Sequence, residues 1–358
     1  MNYSNRFDRN ISALFWNGIR EGGLGHARQL ARLWLGQHRQ ARIRRRNSPA
    51  ALVPPILIAS LTGRCNLSCA NCYSRVHHRQ PDPEMTADQW AEVFFQAEAL
   101  GVAVIMLAGG EPLLRRDIID LTRRHRDIVF PVFTNGFLID ADLISSFRRR
   151  SNLIPVISLE GFEQDTDVRR GRGVFEVIND RMTLLAENGI FFGASITVRS
   201  DTFDDVTSPD FINRMRKAGC RLLIFVEFVP IDAGSAGLAL TVEQRRQLMT
   251  IERSPGKKAV CIVFPGDEEQ YGGCLAAGRG FVHVNPWGGL EPCPFAPYSD
   301  TNLRRTPLRE ALRSRLLTAI RDNHHRLTET SGGCALWAQR EWVEKLAAGE
   351  NNQDNLLS

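Results

Sequence analysis

Hydrophobic residues gather in short runs between positions 56 and 229, and stretches with helical periodicity separate these runs. The runs predict strands over residues 56–61, 102–108, 128–133, 153–159, 191–198 and 221–229. The stretches between them predict helices over residues 86–100, 116–126, 140–149, 174–188 and 209–218. Thr86 and Gln89 form a capping-box pattern at the start of the first of these helices. Alternating strands and helices predict a parallel sheet with right-handed crossovers.

Six strand–helix units are too few for a complete eight-fold barrel, which needs about 250 residues. We therefore predict an α/β fold, an open and partial (β/α)6 barrel similar to the TIM barrel, with its functional face at the carboxyl ends of the strands. The predicted parts are a basic helical arm (1–50), the barrel core (51–230), a connecting helical segment (231–258), a small cysteine-containing extension (259–347) and a polar tail (348–358).

The basic character of the chain is concentrated in the arm. Residues 1–50 hold ten arginines and two acidic residues, a net charge of +8, which leaves 35 basic and 38 acidic residues, a net charge of −3, for the remainder. Three interpretations stay open: a helical pair packed on the main domain, a basic amphipathic contact with an anionic membrane, or a contact with a nucleic-acid backbone. The nearly neutral main body makes a nucleic-acid partner the weakest of the three.

The composition and the N-terminal sequence predict the cellular compartment of the protein. No apolar run reaches the length of about 18 residues that a membrane span needs, and the N-terminus lacks the pattern of a signal peptide. We therefore expect a cytoplasmic protein, with residues 1–50 as the candidate for peripheral contact with the inner face of the membrane. Eight cysteines in such a chain point to metal ligands or free thiols rather than to disulfides.

Three of these cysteines lie in one short segment directly after the first predicted strand. Cys65, Cys69 and Cys72 form a C-x3-C-x2-C run within the sequence RCNLSCANCY. Three thiolates on one loop can hold three irons of a [4Fe–4S] cube and leave the fourth iron open to a chelating cofactor. Zinc is the alternative, with His77 and His78 nearby, although zinc sites usually pair two C-x2-C knuckles or add histidines.

This segment resembles the cluster motif of the radical SAM superfamily. Tyr73 matches the aromatic residue that follows the cysteines, and Gly109-Gly110-Glu111-Pro112, at the end of the second strand, matches the GGE motif. The resemblance implies that Cys65, Cys69 and Cys72 hold a [4Fe–4S] cluster that binds S-adenosylmethionine, and that the second motif binds the cofactor's amino group. Chemistry agrees, because glycines let a backbone approach a ligand closely and a carboxylate pairs with an ammonium group.

Polar residues at the ends of the next strands are further candidates for contact with the cofactor. In the enzymes that the chain resembles, such residues contact the ribose and the methionine carboxylate. The candidates are Asn135, Ser158, Glu160, Thr197 and Arg199. A loop cap or an ion pair is the alternative for these strand-end residues. Asp167, Arg170 and Gly171 lie in a segment that shapes the mouth of the pocket in similar enzymes.

The resemblance implies a specific reaction. A flavodoxin or ferredoxin supplies an electron, S-adenosylmethionine is cleaved reductively, and the resulting 5′-deoxyadenosyl radical abstracts hydrogen from a substrate. The sequence does not identify that substrate, which is a peptide, a lipid or another small molecule. Two alternatives stay open: an RNA-modifying enzyme that uses the basic arm, and a non-catalytic iron–sulfur protein that senses redox state.

Three later cysteines resemble the SPASM or twitch extension of radical SAM maturases. Cys274, Cys293 and Cys334 are its counterparts here, and they imply a second, auxiliary [4Fe–4S] cluster. Its fourth ligand is left open between Cys261, a non-cysteine group and the substrate itself. A zinc site, or cysteines that merely pack in the core, is the alternative for the three.

Four other residues interrupt or adjoin apolar runs. Cys220 and Cys261 favour structural roles in buried strands. Glu227, within an apolar strand, either pairs with an arginine or points into the barrel toward a substrate. His283 favours a strand position with a satisfied hydrogen bond.

Overall fold

A computed structural model of the chain describes residues 26–47, 53–77, 82–253, 260–264, 273–327 and 334–349. Within these residues, nine strands form one sheet. The strands are β1 (Ile56–Ser60), β2 (Val104–Ala108), β3 (Phe130–Thr134), β4 (Leu153–Leu159), β5 (Gly193–Val198), β6 (Leu222–Glu227), β7 (Val260–Phe264), β8 (Phe281–Val284) and β9 (Leu290–Glu291).

Helices connect and flank these strands. They are α1 (Ala27–Asn47), α2 (Tyr73–His77), α3 (Ala87–Leu100), α4 (Arg116–Leu121), α5 (Ala141–Arg149), α6 (Glu163–Arg170), α7 (Val174–Glu187), α8 (Phe203–Thr207), α9 (Pro209–Lys217), α10 (Val242–Arg253), α11 (Leu308–Ala311), α12 (Arg315–Asp322), α13 (Ala335–Ala338) and α14 (Arg340–Ala348). Short 3-10 turns cover Pro112–Leu114, Thr122–Arg124, Ala233–Leu238 and His324–Arg326.

The order of the strands confirms the predicted α/β partial barrel. The sheet runs β7-β6-β5-β4-β3-β2-β1-β8-β9. Neighbours from β7 to β8 pair in parallel, whereas β9 pairs antiparallel with β8. The six predicted strands are β1 to β6, they lie side by side in chain order, and their ends differ from the prediction by at most two residues.

The sheet is larger than the six predicted strands because strands of the C-terminal extension join it. β7 extends the sheet beyond β6, and β8 lies beside β1 with His283 opposite Ile58. Both segments are predictable as strands, but pairing between strands so distant in sequence leaves no local signal. β1, whose end carries the cysteine loop, is therefore flanked on both sides and buried along its whole length.

Helix boundaries follow local signals closely in some places and not in others. The predicted capping box is present at α3, where Thr86 accepts from the backbone of Gln89 and the Gln89 side chain accepts from the backbone of Thr86. The helix predicted over 116–126 is shorter, because α4 ends at Leu121 and a 3-10 turn follows. α6 lies in the segment that the sequence assigned to the mouth of the pocket.

Helix α1 closes the floor of the barrel, at the amino ends of the strands. Its Gln37 Nε2 donates to Ala103 O at 2.8 Å, just before β2, and its Gln29 Nε2 donates to Ser151 O at 2.8 Å, just before β4. Arg44 is buried and its Nη1 donates to Gly101 O at 2.7 Å. Leu33 packs against apolar side chains of β4 and β6. These contacts place α1 on the end of the barrel opposite the cysteine loop.

Packing of α1 on the main domain agrees with one interpretation of the arm, and the other two stay predictions. The outer side of α1 exposes six arginines: Arg28, Arg32, Arg39, Arg42, Arg45 and Arg46. The first predicted helix of the arm lies outside the described residues. Among the residues that the structure describes, no helix has the length and hydrophobicity to span a bilayer.

The packing of α1 on the barrel requires a glycine at position 101, because α1 lies against the backbone there. Gly101 ends α3 with a φ of +96°, and a Cβ at this position would lie 2.3 Å from Arg44 N and 2.7 Å from Gln40 O. We predict that Gly101→Ala lowers the free energy of unfolding by more than about 2 kcal/mol, because a left-handed conformation and a backbone clash act together.

Gly189→Ala is the matched control for this prediction. Gly189 also has a positive φ, +63°, but nothing lies within 4 Å of its Cβ position. Its substitution should cost only the left-handed strain of about 1 kcal/mol. Urea denaturation of both variants measures the difference, and equal losses would contradict the role assigned to Gly101.

Candidate active site

The cysteine loop leaves β1 at its carboxyl end and is held near its start by the carboxylate of Glu84. Thr62 Oγ1 donates to Glu84 Oε1 at 2.8 Å, and Gly63 N donates to the same oxygen at 2.9 Å. Further along the loop Cys65 is exposed, and Cys69 and Cys72 are half-buried. The loop therefore presents its three thiols at the functional face that the fold predicts.

Metal binding at this loop has to displace the protons of its thiols. Burial raises the pKa of Cys65, against a hydrogen bond from Leu67 N at 3.4 Å. Burial also raises the pKa of Cys69, and the positive charge of Arg170 opposes it. Because thiolates are the ligands of iron and zinc, metal binding to these residues releases protons and is pH-dependent.

The two glycines after β2 touch the backbone of the cysteine loop. Gly110 N donates to Thr62 O at 2.7 Å, and Glu111 N donates to Arg64 O at 2.9 Å. A Cβ on Gly110 would lie 2.0 Å from Arg64 O, and a Cβ on Gly109, whose φ is +126°, would lie 2.5 Å from Thr62 O. Only glycine fits at either position, so the pair fixes the cysteine loop against the end of β2.

Glu111 is buried and joins the ends of β2 and β3. Its Oε1 accepts from Leu113 N at 3.0 Å and from Thr134 Oγ1 at 2.8 Å, and its Oε2 accepts from Asn135 N at 2.9 Å. Burial raises the pKa of Glu111, and these three hydrogen bonds oppose that rise. A carboxylate has about four acceptor sites, so one stays available to an ammonium group. Pro112 begins the 3-10 turn that sets this geometry.

Asn135, at the end of β3, reaches the cysteine loop. Its Nδ2 donates to Asn66 Oδ1 at 2.8 Å and lies 3.9 Å from Cys65 Sγ. The ends of β1, β2 and β3 thus bring together a thiol, a carboxylate and an amide in one cradle. Thiols suit iron, and the free acceptor site of the buried carboxylate suits an amine, so the residues present fit an iron–sulfur cluster with an amine-bearing cofactor.

A comparison with known protein families supports the cofactor site that this cradle indicates. Residues 59–212 match the sequence profile described as "Radical SAM superfamily". These residues form a radical SAM domain. The match begins in β1 and ends in α9, so it covers β1 to β5 and the cysteine loop.

Two of the curated relatives carry names of heme-related synthases. The chain is 25% identical over 287 residues to the AdoMet-dependent heme synthase of Methanosarcina barkeri, which covers 72% of this chain and 81% of that protein. It is also 25% identical over 202 residues to the Fe-coproporphyrin III synthase of the same organism, across 55% of this chain. The second match spans half of the length of that synthase.

The fold has a solved counterpart in a protein that was crystallised with a bound peptide. The crystal structure of Streptococcus suis SuiB bound to its precursor peptide SuiA superposes with a TM-score of 0.61 at 15% identity. The superposition covers 78% of this chain and 70% of that chain. At this level of identity the likeness concerns the fold.

A buried ion-pair cluster lies next to the cysteine loop of the radical SAM domain. Glu160, 1% exposed at the end of β4, pairs with Arg169 Nη1 at 2.5 Å and with Arg170 Nη2 at 2.6 Å. Thr197 Oγ1 accepts from Arg169 Nη1 at 3.0 Å. Burial would raise the pKa of Glu160, but Arg170 and then Arg169 outweigh it and lower the pKa. Glu160 therefore remains ionised and neutralises part of the charge of two arginines.

The same cluster holds the cysteine loop in place. Ala70 N donates to Arg169 O at 2.8 Å, and Arg169 Nε donates to Ala70 O at 3.2 Å. Ala70 lies directly after Cys69, and the charge of Arg170 acts on that thiol. Neither Arg169 nor Glu84 is among the site residues predicted from the sequence. The ion pairs of Glu160 have one signal in the sequence, the two adjacent arginines that follow this strand-end glutamate.

Two other predicted pocket residues have local partners. Arg199 pairs with Asp201, with Nε–Oδ1 and Nη2–Oδ2 distances of 2.8 Å. Asp167 caps the start of α7, since it accepts from Gly173 N at 2.6 Å and from Phe175 N at 2.8 Å. The first of these is the ion-pair alternative that the sequence left open for Arg199. Ser158 is half-buried in β4.

The three C-terminal cysteines come together beside the radical SAM domain. Cys274 and Cys293 are buried and Cys334 is half-buried. A hydrogen bond with Cys334 raises the pKa of Cys293 well above its ordinary value, and burial and Cys274 raise it further. Tyr73 lies between this set and the cysteine loop, since Cys72 and Cys293 both contribute, after burial, to its raised pKa. Its ring packs 4.8 Å from the ring of Phe295.

The donor set of this second group suits an iron–sulfur cluster. Among the described residues, no three histidine, cysteine or acidic side chains lie together at the spacing of a single metal ion. A cube binds each ligand through a different iron, so its ligands lie farther apart than those of one ion. Three thiols are the ligand type that such a cluster needs.

The remaining predicted residues have structural partners. Cys220 is buried with its Sγ 3.8 Å from Met182 Sδ, and Cys261 is buried in β7. Glu227 pairs with Arg245, whose Nε lies 3.1 Å from Oε2, so the arginine alternative holds. His283 is satisfied as predicted, with Nε2 2.8 Å from Ser60 Oγ and Nδ1 2.6 Å from Glu291 Oε2.

The lowered pKa of Glu160 makes a pH-dependent prediction. Its ion pairs stabilise the fold above the unfolded glutamate pKa of about 4.3, and that stabilisation is lost as the pH falls through the lower folded pKa. We predict that Glu160→Gln costs about 3–5 kcal/mol of unfolding free energy at pH 7, because two buried guanidinium groups lose their counter-charge. The difference from wild type should shrink below about pH 4.

Glu243→Gln is the control for this prediction, because Glu243 and Arg246 form an exposed pair. Its substitution should change the unfolding free energy by less than about 1 kcal/mol. Urea denaturation of the three cluster-free proteins between pH 7 and pH 3 measures both effects. A loss in Glu160→Gln that stays constant across this range would contradict the assignment.

Proposed function

We propose that the chain is a radical SAM enzyme that cleaves S-adenosylmethionine reductively at a [4Fe–4S] cluster and abstracts hydrogen from a substrate. The observation that carries this proposal is the cradle of Cys65, Glu111 and Asn135, which joins three strand ends at the functional face of the barrel. Such a cradle offers a thiol to iron and a carboxylate to an amine.

The residues that would hold the cofactors follow from this cradle. Cys65, Cys69 and Cys72 would hold the cluster, and Gly109-Gly110-Glu111-Pro112 would receive the amino group of S-adenosylmethionine. When bound, the cluster and S-adenosylmethionine supply an electron and a 5′-deoxyadenosyl radical. The chain itself binds, orients and shields these groups.

The ion-pair cluster gives several predicted site residues an indirect role. Glu160 and Thr197 both contact Arg169, which in turn holds Ala70 of the cysteine loop. We therefore assign Glu160 and Thr197 to positioning Arg169. Arg170 places a positive charge beside Cys69, where it favours thiolate and a negatively charged cluster. Ser158 and Arg199 stay candidates for contact with the ribose and the carboxylate of the cofactor.

A second cluster on Cys274, Cys293 and Cys334 is the next part of the proposal. The support is that these thiols lie close enough to perturb one another and that Tyr73 connects them to the first set. A flavodoxin or ferredoxin is the proposed electron donor. The proposed division of the chain into arm (1–50), barrel core (51–230), connecting segment (231–258), extension (259–347) and tail (348–358) assigns one cluster to the core and one to the extension.

The substrate is proposed only as a class: a peptide, a lipid or another small molecule. SuiB is named with a precursor peptide and the M. barkeri relatives as heme-related synthases, so the names alone favour neither. The described part of the arm, α1, lies at the barrel floor, where it cannot hold a peptide over the cysteine loop. An RNA bound to its arginines would likewise lie at the opposite end of the barrel, which weakens the RNA-modifying alternative.

We also propose that residues 1–50 contact a membrane, and the evidence is the set of exposed arginines on α1. Arg28, Arg32 and Arg42 lie on its outer face, and the exposed Leu35 lies among them. A face of this composition suits an anionic lipid surface. Contact there would leave the cysteine loop, at the other end of the strands, open to substrate.

Removal of the loop thiols tests the proposed reaction. We predict that the triple variant Cys65→Ala, Cys69→Ala, Cys72→Ala releases no 5′-deoxyadenosine from S-adenosylmethionine under reducing conditions. Its iron content should fall from about eight to about four atoms per chain, because the second cluster remains. Chromatographic detection of 5′-deoxyadenosine and an iron assay on anaerobically reconstituted protein give the two readings.

Cys220→Ala serves as the control, because Cys220 is a buried thiol beside Met182 in the core of the barrel. It should retain both the cleavage and the full iron content. Cleavage that persists in the triple variant would contradict the proposed cofactor site. An unchanged iron content in that variant would contradict the loop as a cluster site.

A further inference from the structure

His77, the last residue of α2, carries a buried nitrogen that the fold leaves unsatisfied. Its Nε2 is inaccessible to solvent and has no hydrogen-bond partner among the described residues. Buried polar atoms are paired in the great majority of cases, so such an atom calls for an explanation. A bound metal is one of the few partners that can satisfy a buried imidazole nitrogen.

The surroundings of His77 are the two segments that carry the C-terminal cysteines. Its ring lies 5.5 Å from the ring of Trp337, three residues after Cys334. One turn earlier on α2, Tyr73 packs against Phe295, two residues after Cys293. The two ends of α2 therefore contact the two segments, with Tyr73 beside Phe295 and His77 beside Trp337.

The C-terminal cysteines lack a fourth thiol on their own side of the sheet. Cys261, the cysteine that the sequence left as a candidate, lies on β7 at one edge of the sheet. Cys293 follows β9, which forms the other edge, with seven strands between β7 and β9. Cys220, just before β6, is engaged with Met182 in the barrel. Among the described side chains, the unsatisfied imidazole of His77 is therefore the candidate for a fourth ligand, on a helix that contacts the segments of Cys293 and Cys334.

We propose that His77 Nε2 binds the fourth iron of the auxiliary cluster held by Cys274, Cys293 and Cys334. This inference rests on the second cluster of the proposed function. It assigns a ligand to that cluster from the helix that directly follows Cys72 of the first cluster. Burial, with His283 as a second cause, lowers the pKa of His77 and favours the neutral ring that binds metals.

A histidine ligand defines what the auxiliary cluster can do. With all four irons bound by the protein, the cluster has no open iron for a substrate, so it serves electron transfer. Replacement of a thiolate by a neutral imidazole also removes negative charge and raises the reduction potential, as in Rieske centres. The cluster is then suited to accept an electron from the substrate after hydrogen abstraction.

The experiment uses the full chain with the first cluster removed by the triple variant Cys65→Ala, Cys69→Ala, Cys72→Ala. The reduced protein is examined by pulsed EPR, with natural and ¹⁵N-labelled histidine. We expect a strong nitrogen coupling that changes with the label and is lost in the further variant His77→Ala. In His77→Cys we expect the cluster to persist without nitrogen coupling and with a more negative midpoint potential.

His38→Ala is the control, because His38 lies on α1 and its Nδ1 is 2.9 Å from Trp34 O, within the same helix. It should leave the nitrogen coupling unchanged. The chain with all three loop cysteines provides a second measurement, since added S-adenosylmethionine should alter only the signal of the first cluster. This second measurement controls for a displacement of α2 that the substitution of Cys72 could cause in the triple variant.

The possible results separate the inference from the proposed function. A four-iron cluster without nitrogen coupling, unchanged by His77→Ala in both backgrounds, would overturn the assignment of His77 and leave the auxiliary cluster standing. A triple variant that binds no iron would overturn both the assignment of His77 and the auxiliary cluster. Nitrogen coupling that is lost only with His77 supports the ligand, whatever the substrate is.

Discussion

The cysteine loop depends on a carboxylate that never touches it. Glu160 pairs with two arginines in the interior. One of them, Arg169, forms hydrogen bonds with the backbone of Ala70 through both its own carbonyl oxygen and its side chain. Groups outside the loop fix its shape: this ion pair on one side, and Glu84 and Gly110 on the other. A site that must stay open to a cofactor needs such external support.

The sequence predicts this support only in part. The six strands and the capping box at Thr86 depend on local patterns, so they are readable in the chain. The pairing of Glu160 with Arg169 and the seating of α1 under β2 and β4 depend on residues brought together by the fold. Residue type alone shows that Glu160 needs a partner but does not say which arginine it finds.

Glu111 illustrates the same limit at a single residue. The resemblance of Gly109-Gly110-Glu111-Pro112 to the GGE motif implies a carboxylate aimed at an ammonium group, yet three of its acceptor sites are taken by Leu113, Thr134 and Asn135. The residue thus aligns the strand ends before it receives a ligand. A fully solvated carboxylate would have to be ordered and desolvated at the moment of binding, whereas this one is already fixed by the fold.

The strand order explains why the two cysteine sets lie so close. β8 and β9 add to the β1 edge rather than forming a separate layer, so the segment with Cys293 lies next to the loop that leaves β1. α2 begins directly after Cys72 and carries Tyr73 and His77 against that segment. The barrel and the extension therefore share one sheet and pack against each other through α2, so the extension is a structural part of the barrel rather than an appendage.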